Sequence, residues 1–259
     1  MQSRRYGDIQ VDMRGHVALV EIRRPPHNFF DLALIRDLAD AYEALDAAPE
    51  CRALVLAAEG KAFCAGANFQ TGSLDDTVAA GSSHLYAEAV RLFACSKPVV
   101  AAVQGPAIGG GLGLAVSADF RIAAPEARFA ANFVKLGIHP GFGLTLTLPQ
   151  LVGQQKAALL FYTGRRINAE EALAWGLVDQ VAPQDQLREA AFRLANEMAE
   201  GAPLALQSVR KTLRRGLAEA VKAQTDHEYA EQQRLARTED HAEGIRAVAE
   251  RRAGNFRGR

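Results

Sequence analysis

Two glycine-rich stretches carry the chemistry that this sequence offers. They are Lys61-Ala62-Phe63-Cys64-Ala65-Gly66-Ala67-Asn68 and Gly105-Pro106-Ala107-Ile108-Gly109-Gly110-Gly111-Leu112-Gly113. Residues this small let the backbone approach a ligand and present its N–H without obstruction. Two such donors aimed at one point suit a carbonyl oxygen that becomes negative during reaction.

Each stretch comes after an apolar run, Ala53 to Ala58 and Pro98 to Val103, with the length of a fully buried strand. Upstream, Ile9 to Asp12 and Val17 to Ile22 flank the turn signal Arg14-Gly15 and predict a hairpin. Asp31 to Ala48 reads as a helix, because Leu32, Ile35, Leu38, Tyr42 and Leu45 recur at spacings of three and four before Pro49. A second helical stretch covers about Ser82 to Ala94, and a third runs from Gly110 to about Ala118. This succession of strand, loop, helix and strand predicts an α/β layer arrangement with crossover connections. After Gly143 the pattern turns helical. Asn168 and Glu171 make a capping box for a short helix closed by Gly176. Leu187, Ala191, Leu194 and Met198 form one apolar stripe, and Leu206, Val209, Leu213 and Leu217 form another.

Length and composition narrow the function classes. A chain of 259 residues, 49% of them hydrophobic, can bury a large core, as one domain or a main domain with an appendage. Thirty basic and thirty acidic side chains cancel, so no overall field draws in nucleic acid or an anionic membrane. Cys51, Cys64 and Cys95 form no Cys-x-x-Cys pair and leave one thiol over, which predicts a reducing, cytoplasmic setting. Neither terminus reads as a targeting signal. Pro98 to Ala118 mimics a membrane span, but Gly105-Pro106 and the glycine triplet divide it into strand, loop and helix. His227-Glu228-Tyr229-Ala230-Glu231 lacks the second histidine of a zinc helix, and no metal ligand set is expected. No dinucleotide or Walker motif and no Gly-x-Ser-x-Gly elbow occurs.

Taken together, the two glycine stretches resemble the signature pair of the crotonase family, the enoyl-CoA hydratases and isomerases. Other segments carry the resemblance along nearly the whole chain: Arg24-Pro25 with Asn28-Phe29-Phe30, Thr163-Gly164-Arg165, Ala172 through Trp175-Gly176-Leu177-Val178, and Asn255-Phe256. The resemblance implies a crotonase-like spiral of ββα turns over residues 1–195. It also implies a helical oligomerisation region over 196–259, and assembly into a homotrimer or a dimer of trimers. In the family, the amide after the first glycine and the middle amide of the triplet form the oxyanion hole, positions that map to Ala67 and Gly110. The implied substrate is an acyl-CoA thioester, with no permanently bound cofactor. Its coenzyme A would lie along Ala65, Ala67, Asn68, Phe69 and Gln70, with Lys61 near the nucleotide end; Lys61 also reads as a solvated loop charge.

The family pattern breaks at two places. Hydratases of the family hold and activate water with two glutamates, and the corresponding positions here are Gly113 and Phe133. Neither residue can move a proton. Gln104, Asp119, Asn132 and Lys135 are polar groups near the motifs, with Asp119 reading as structural. His139 is the candidate base, since imidazole titrates near neutral pH, although it also reads as a surface or structural histidine. His84 is a further group that could face the acyl chain. Phe29, Phe30, Phe69, Phe133 and Phe142 suggest a crowded apolar pocket, or simple core packing. Three functions are compatible with these residues: an enzyme of the hydratase/isomerase type working through a thioester enolate, a malonyl-type acyl-CoA decarboxylase or C–C lyase, and a non-catalytic acyl-CoA-binding subunit.

Overall fold

A computed structural model describes residues 3–67 and 85–259 of the chain. The main sheet opens with β1 (Arg4–Tyr6), β2 (Ile9–Arg14) and β3 (Val17–Ile22), paired antiparallel. It continues in parallel through β4 (Ala53–Ala58), β5 (Val99–Val103), β7 (Phe120–Ala123) and β10 (Gln180–Val181). A smaller sheet holds β6 (Pro106–Ile108), β8 (Arg128–Ala130) and β9 (Arg166–Asn168). The central strands β3, β4 and β5 are buried along their whole length, as expected of parallel strands covered on both faces.

Helices supply the covers. On one face lie α1 (Leu32–Asp46), α2 (Leu85–Ala94) and α3 (Gly110–Ser117). Asp31 starts α1 by accepting a 2.8 Å hydrogen bond from the amide of Leu34. On the other face α7 (Leu187–Ala199) lays Leu187, Ala191 and Ala195 against Val55, Val100 and Ile122. The remaining helices are α4 (Leu144–Val152), α5 (Gln154–Thr163), α6 (Ala169–Ala174), α8 (Pro203–Leu213), α9 (Leu217–Leu235) and α10 (Glu239–Ala249). A 3₁₀ helix spans Asn132–Leu136.

The chain coils as it builds these layers. After β3, β4, β5 and β7 it places a short extended piece in the second layer before the next helix. Phe30 bridges to Ala67, Cys64 bridges to Ala107, and β6 pairs with β8. This is the ββα spiral. Each glycine stretch therefore lies at the end of a second-layer piece, where the chain turns out of that layer.

One expectation needs correcting. The apolar stripe from Leu206 to Leu217 is broken: α8 ends at Leu213, and Gly216 takes a left-handed φ of 76° to start α9 in a new direction. The span-like stretch from Pro98 to Ala118 divides into β5, β6 and α3. Among the described residues no helix is long and apolar enough to cross a membrane.

Candidate active site

The first glycine loop is tied down from both sides. Asn28, wholly buried, donates from Nδ2 to the carbonyls of Glu59 and Ala62, 2.8 Å each, and its Oδ1 accepts from the amide of Arg24 at 3.0 Å. Gln104 Nε2 donates to the carbonyls of Ala58 and Ala62. Beyond these anchors, the amides of Phe63 and Cys64 donate to Pro106 O, Ile108 N donates to Cys64 O, and Phe30 N donates to Gly66 O. The loop is thereby pressed onto β6.

Gly66 makes the closest approach. Its φ is 84°, and a Cβ there would lie 2.9 Å from Ile108 O and 3.6 Å from the amide nitrogen of Gly110. Only glycine fits that conformation in that space. Gly110 is the first residue of α3, where amides have no intrahelical acceptor. Gly109 N donates to Ala130 O, while Leu112 N and Gly113 N both donate to Gly109 O. Among the described residues no group accepts from the amides of Ala67, Gly110 or Gly111. Their free N–H groups and the positive end of the α3 dipole favour negative charge in front of the helix.

Aromatic rings wall this convergence. A Cβ on Gly110 would run into the ring of Phe30, and one on Gly113 would lie 2.6 Å from the Cβ of Phe142. The Phe133 ring stands beside Gly109, 3.8 Å from where its Cβ would be. Phe30 and Phe142 pack at 5.6 Å between centroids. The Cys64 thiol beneath is buried, which pushes it up to about 12 and leaves it protonated and inert.

The other sequence candidates fall in different places. Ala65 donates its amide to His27 O, and Lys61 is exposed with its carbonyl against Gly105. His139 has its Nδ1 2.8 Å from Pro140 O, and its ring packs on exposed His227 of α9 at 5.8 Å. Gln104 and Asp119 serve the backbone and the core. Asp119 accepts from Val99 N and pairs with Arg210. Lys135 covers Gly164 with its alkyl stem. Asn68, Phe69, Gln70 and His84 lie outside the described residues.

A buried polar group that motif reading passed over sits behind Phe142. Glu228 of α9, wholly buried, accepts from Gly143 N at 2.7 Å, Thr145 N at 3.0 Å and Thr145 Oγ1 at 2.5 Å. Burial pushes its carboxyl above the usual carboxylate range, against the pull of these hydrogen bonds. Next to it, Tyr86 donates to Gln232 Oε1 and Gln232 Nε2 donates to His139 O. Burial likewise raises the Tyr86 phenol. In the sequence Glu228 is one of several acidic residues on a mostly polar helix, and nothing local says that it is buried or what it holds.

Comparison with known proteins gives the family of the chain. The enoyl-CoA hydratase/isomerase family model matches residues 12–259. A 2,3-dehydroadipyl-CoA hydratase of Escherichia coli (strain K12) is 34% identical over 253 residues, 97% of this chain and 99% of that protein. Among solved structures, an enoyl-CoA hydratase/isomerase from Pseudoalteromonas atlantica T6c aligns with a TM-score of 0.88 at 31% identity, over 96% of this chain and 100% of that one. A carnitinyl-CoA hydratase from Mycobacterium avium aligns with a TM-score of 0.88 at 33% identity, over 99% and 100%. With β3 onward, both glycine loops and the C-terminal helices all inside the matched span, the chain belongs to the enoyl-CoA hydratase/isomerase family and has its crotonase-like fold.

Proposed function

We propose that the protein is an acyl-CoA thioester enzyme of the hydratase/isomerase type that stabilises a thioester enolate between the amides of Ala67 and Gly110. The observation that carries this reading is the approach of Gly66 to the start of α3, within 3.6 Å of the Gly110 amide measured from a Cβ position. A thioester oxygen seated there would gain charge as the enolate forms. Fixed N–H donors and the α3 dipole favour that charge without reorganising. The rings of Phe30, Phe133 and Phe142 keep water from the same volume, which strengthens each electrostatic contact. Coenzyme A is assigned to the segment from Ala65 to Gln70, with Lys61 at its nucleotide end.

The test is a panel of 2-enoyl, 3-enoyl and methylmalonyl thioesters of coenzyme A, read by mass spectrometry. Gly110→Pro removes the donor, and turnover should fall about 10²- to 10³-fold. A Cβ at residue 110 also presses on Phe30, so Gly110→Ala, which keeps the amide, is the control. Equal losses in both variants would remove Gly110 N from the mechanism.

Gly113 and Phe133 favour a second reading, cleavage of a carbon–carbon bond. In decarboxylation of a malonyl-type thioester, the bond from the α-carbon to the carboxylate breaks. Its electron pair becomes the enolate, carbon dioxide leaves, and solvent supplies the proton. No protein base is needed to form the enolate. Carbon dioxide release from methylmalonyl-CoA supports this reading; its absence, with turnover of an enoyl thioester, removes it. Binding with neither turnover nor deuterium uptake at the α-carbon would make the protein a non-catalytic acyl-CoA-binding subunit.

A further inference from the structure

Phe142 is held in a conformation that a bulky side chain rarely adopts. Its φ is 65° and that of Gly143 is 72°, two left-handed residues in succession. Such a backbone persists only when its surroundings over-determine it, and it clusters at functional sites. The surroundings are specific here. The Glu228 carboxylate holds the amides of Gly143 and Thr145 immediately after Phe142. Gln232 holds the carbonyl of His139 shortly before it, and Tyr86 leaves no room for a side chain on Gly141.

The consequence is where the ring lies. Phe142 is wholly buried, packed on Phe30 at 5.6 Å and edge-on to Tyr86 at 6.5 Å, with its Cβ over Gly113. Gly110 and Gly113 are one turn apart on α3, so Phe30 and Phe142 cover successive positions of the face that begins at the Gly110 amide. A carbonyl seated at that amide would have Phe30 beside it and Phe142 one turn further along α3.

Resting on the reading of Ala67 and Gly110 as the thioester site, we propose that Phe142 is the specificity-determining residue of the acyl pocket and that Glu228 positions it. The Phe142 ring closes the far end of the pocket and restricts it to short acyl groups. It also takes the room that any side chain at position 113 would need.

The experiment measures binding of free coenzyme A, butyryl-CoA and octanoyl-CoA by calorimetry, so that it does not depend on which reaction the enzyme performs. The wild type should bind butyryl-CoA more tightly than octanoyl-CoA. Phe142→Ala, or the milder Phe142→Leu if the first does not fold, should shift that ratio at least about tenfold toward octanoyl-CoA, the scale on which apolar pockets discriminate chain length. Affinity for free coenzyme A should stay unchanged. Glu228→Gln keeps the shape but loses one acceptor oxygen, and it should move the ratio in the same direction. A wild type that binds no thioester defeats the thioester site itself. If the wild type binds both equally, or the Phe142 variants keep its ratio, the site stands and the assignment of Phe142 falls. A Glu228→Gln variant that melts earlier with an unmoved ratio reduces Glu228 to a structural role.

Discussion

Gly113 has no side chain because Phe142 stands where one would be. Placing a methyl group there brings it 2.6 Å from the Phe142 Cβ, so Gly113→Ala should destabilise the protein by about 1–3 kcal/mol in urea unfolding. In a Phe142→Gly background, which lacks that Cβ as well as the ring, the same Gly113→Ala change should cost much less. His139 has its ring nitrogen at Pro140 O and its ring against His227. Removing a general base costs about 10²- to 10⁴-fold, so a His139→Gln enzyme that keeps turnover within about threefold would place the residue outside the chemistry. The glycine loops were readable in the sequence because a run of residues without side chains has few other uses. What fills the space they leave was not readable. Gly143 and Glu228 meet across 85 residues of chain, and nothing local to either announces the other.

Among the elements, those with a period or a cap were legible. The capping box of Asn168 and Glu171 forms at the expected place, and α1 begins at the expected aspartate. β6, β8 and β9 were not legible, because three residues carry no alternation and their pairing is set by the coil of the chain. The break between α8 and α9 was missed because Leu217 continues the spacing of the preceding stripe while Gly216 turns the backbone. The hold of α9 on the start of α4 has a pH signature. Burial raises the Glu228 carboxyl in the folded state, so the folded chain binds its proton more tightly than the unfolded chain does. The stabilisation from that proton is complete below the ordinary carboxylate range and is lost as pH rises through the raised value. Stability measured by urea unfolding across that window should fall with rising pH in the wild type, and Glu228→Gln should flatten this component of the profile.

For the whole molecule, the helical C-terminal third leaves apolar surface uncovered in a single copy. Leu204 and Leu213 of α8 are 80% and 81% exposed, and Val209 lies between them at 57%. Self-association through α8 would bury apolar surface of this kind, and the family resemblance implies a homotrimer or a dimer of trimers. Leu213→Asp should therefore lower the mass measured by light scattering, whereas a Leu173→Asp control should not. The cysteines give a second bulk measurement. All three are buried, with Cys51 pushed up to about 11 and Cys64 to about 12, so the folded protein should resist iodoacetamide at pH 8 and react only once unfolded. Prompt labelling of the native protein would contradict the packing around the first glycine loop. The donors proposed for the thioester oxygen belong to the main chain and sit on successive coils of the spiral, whereas the lining belongs to side chains. A change of lining can redirect what happens to a bound acyl group without disturbing the grip on its oxygen. Holding and transforming are thus inherited separately, and a scaffold of this kind can acquire a new product by exchanging a few rings and carboxylates.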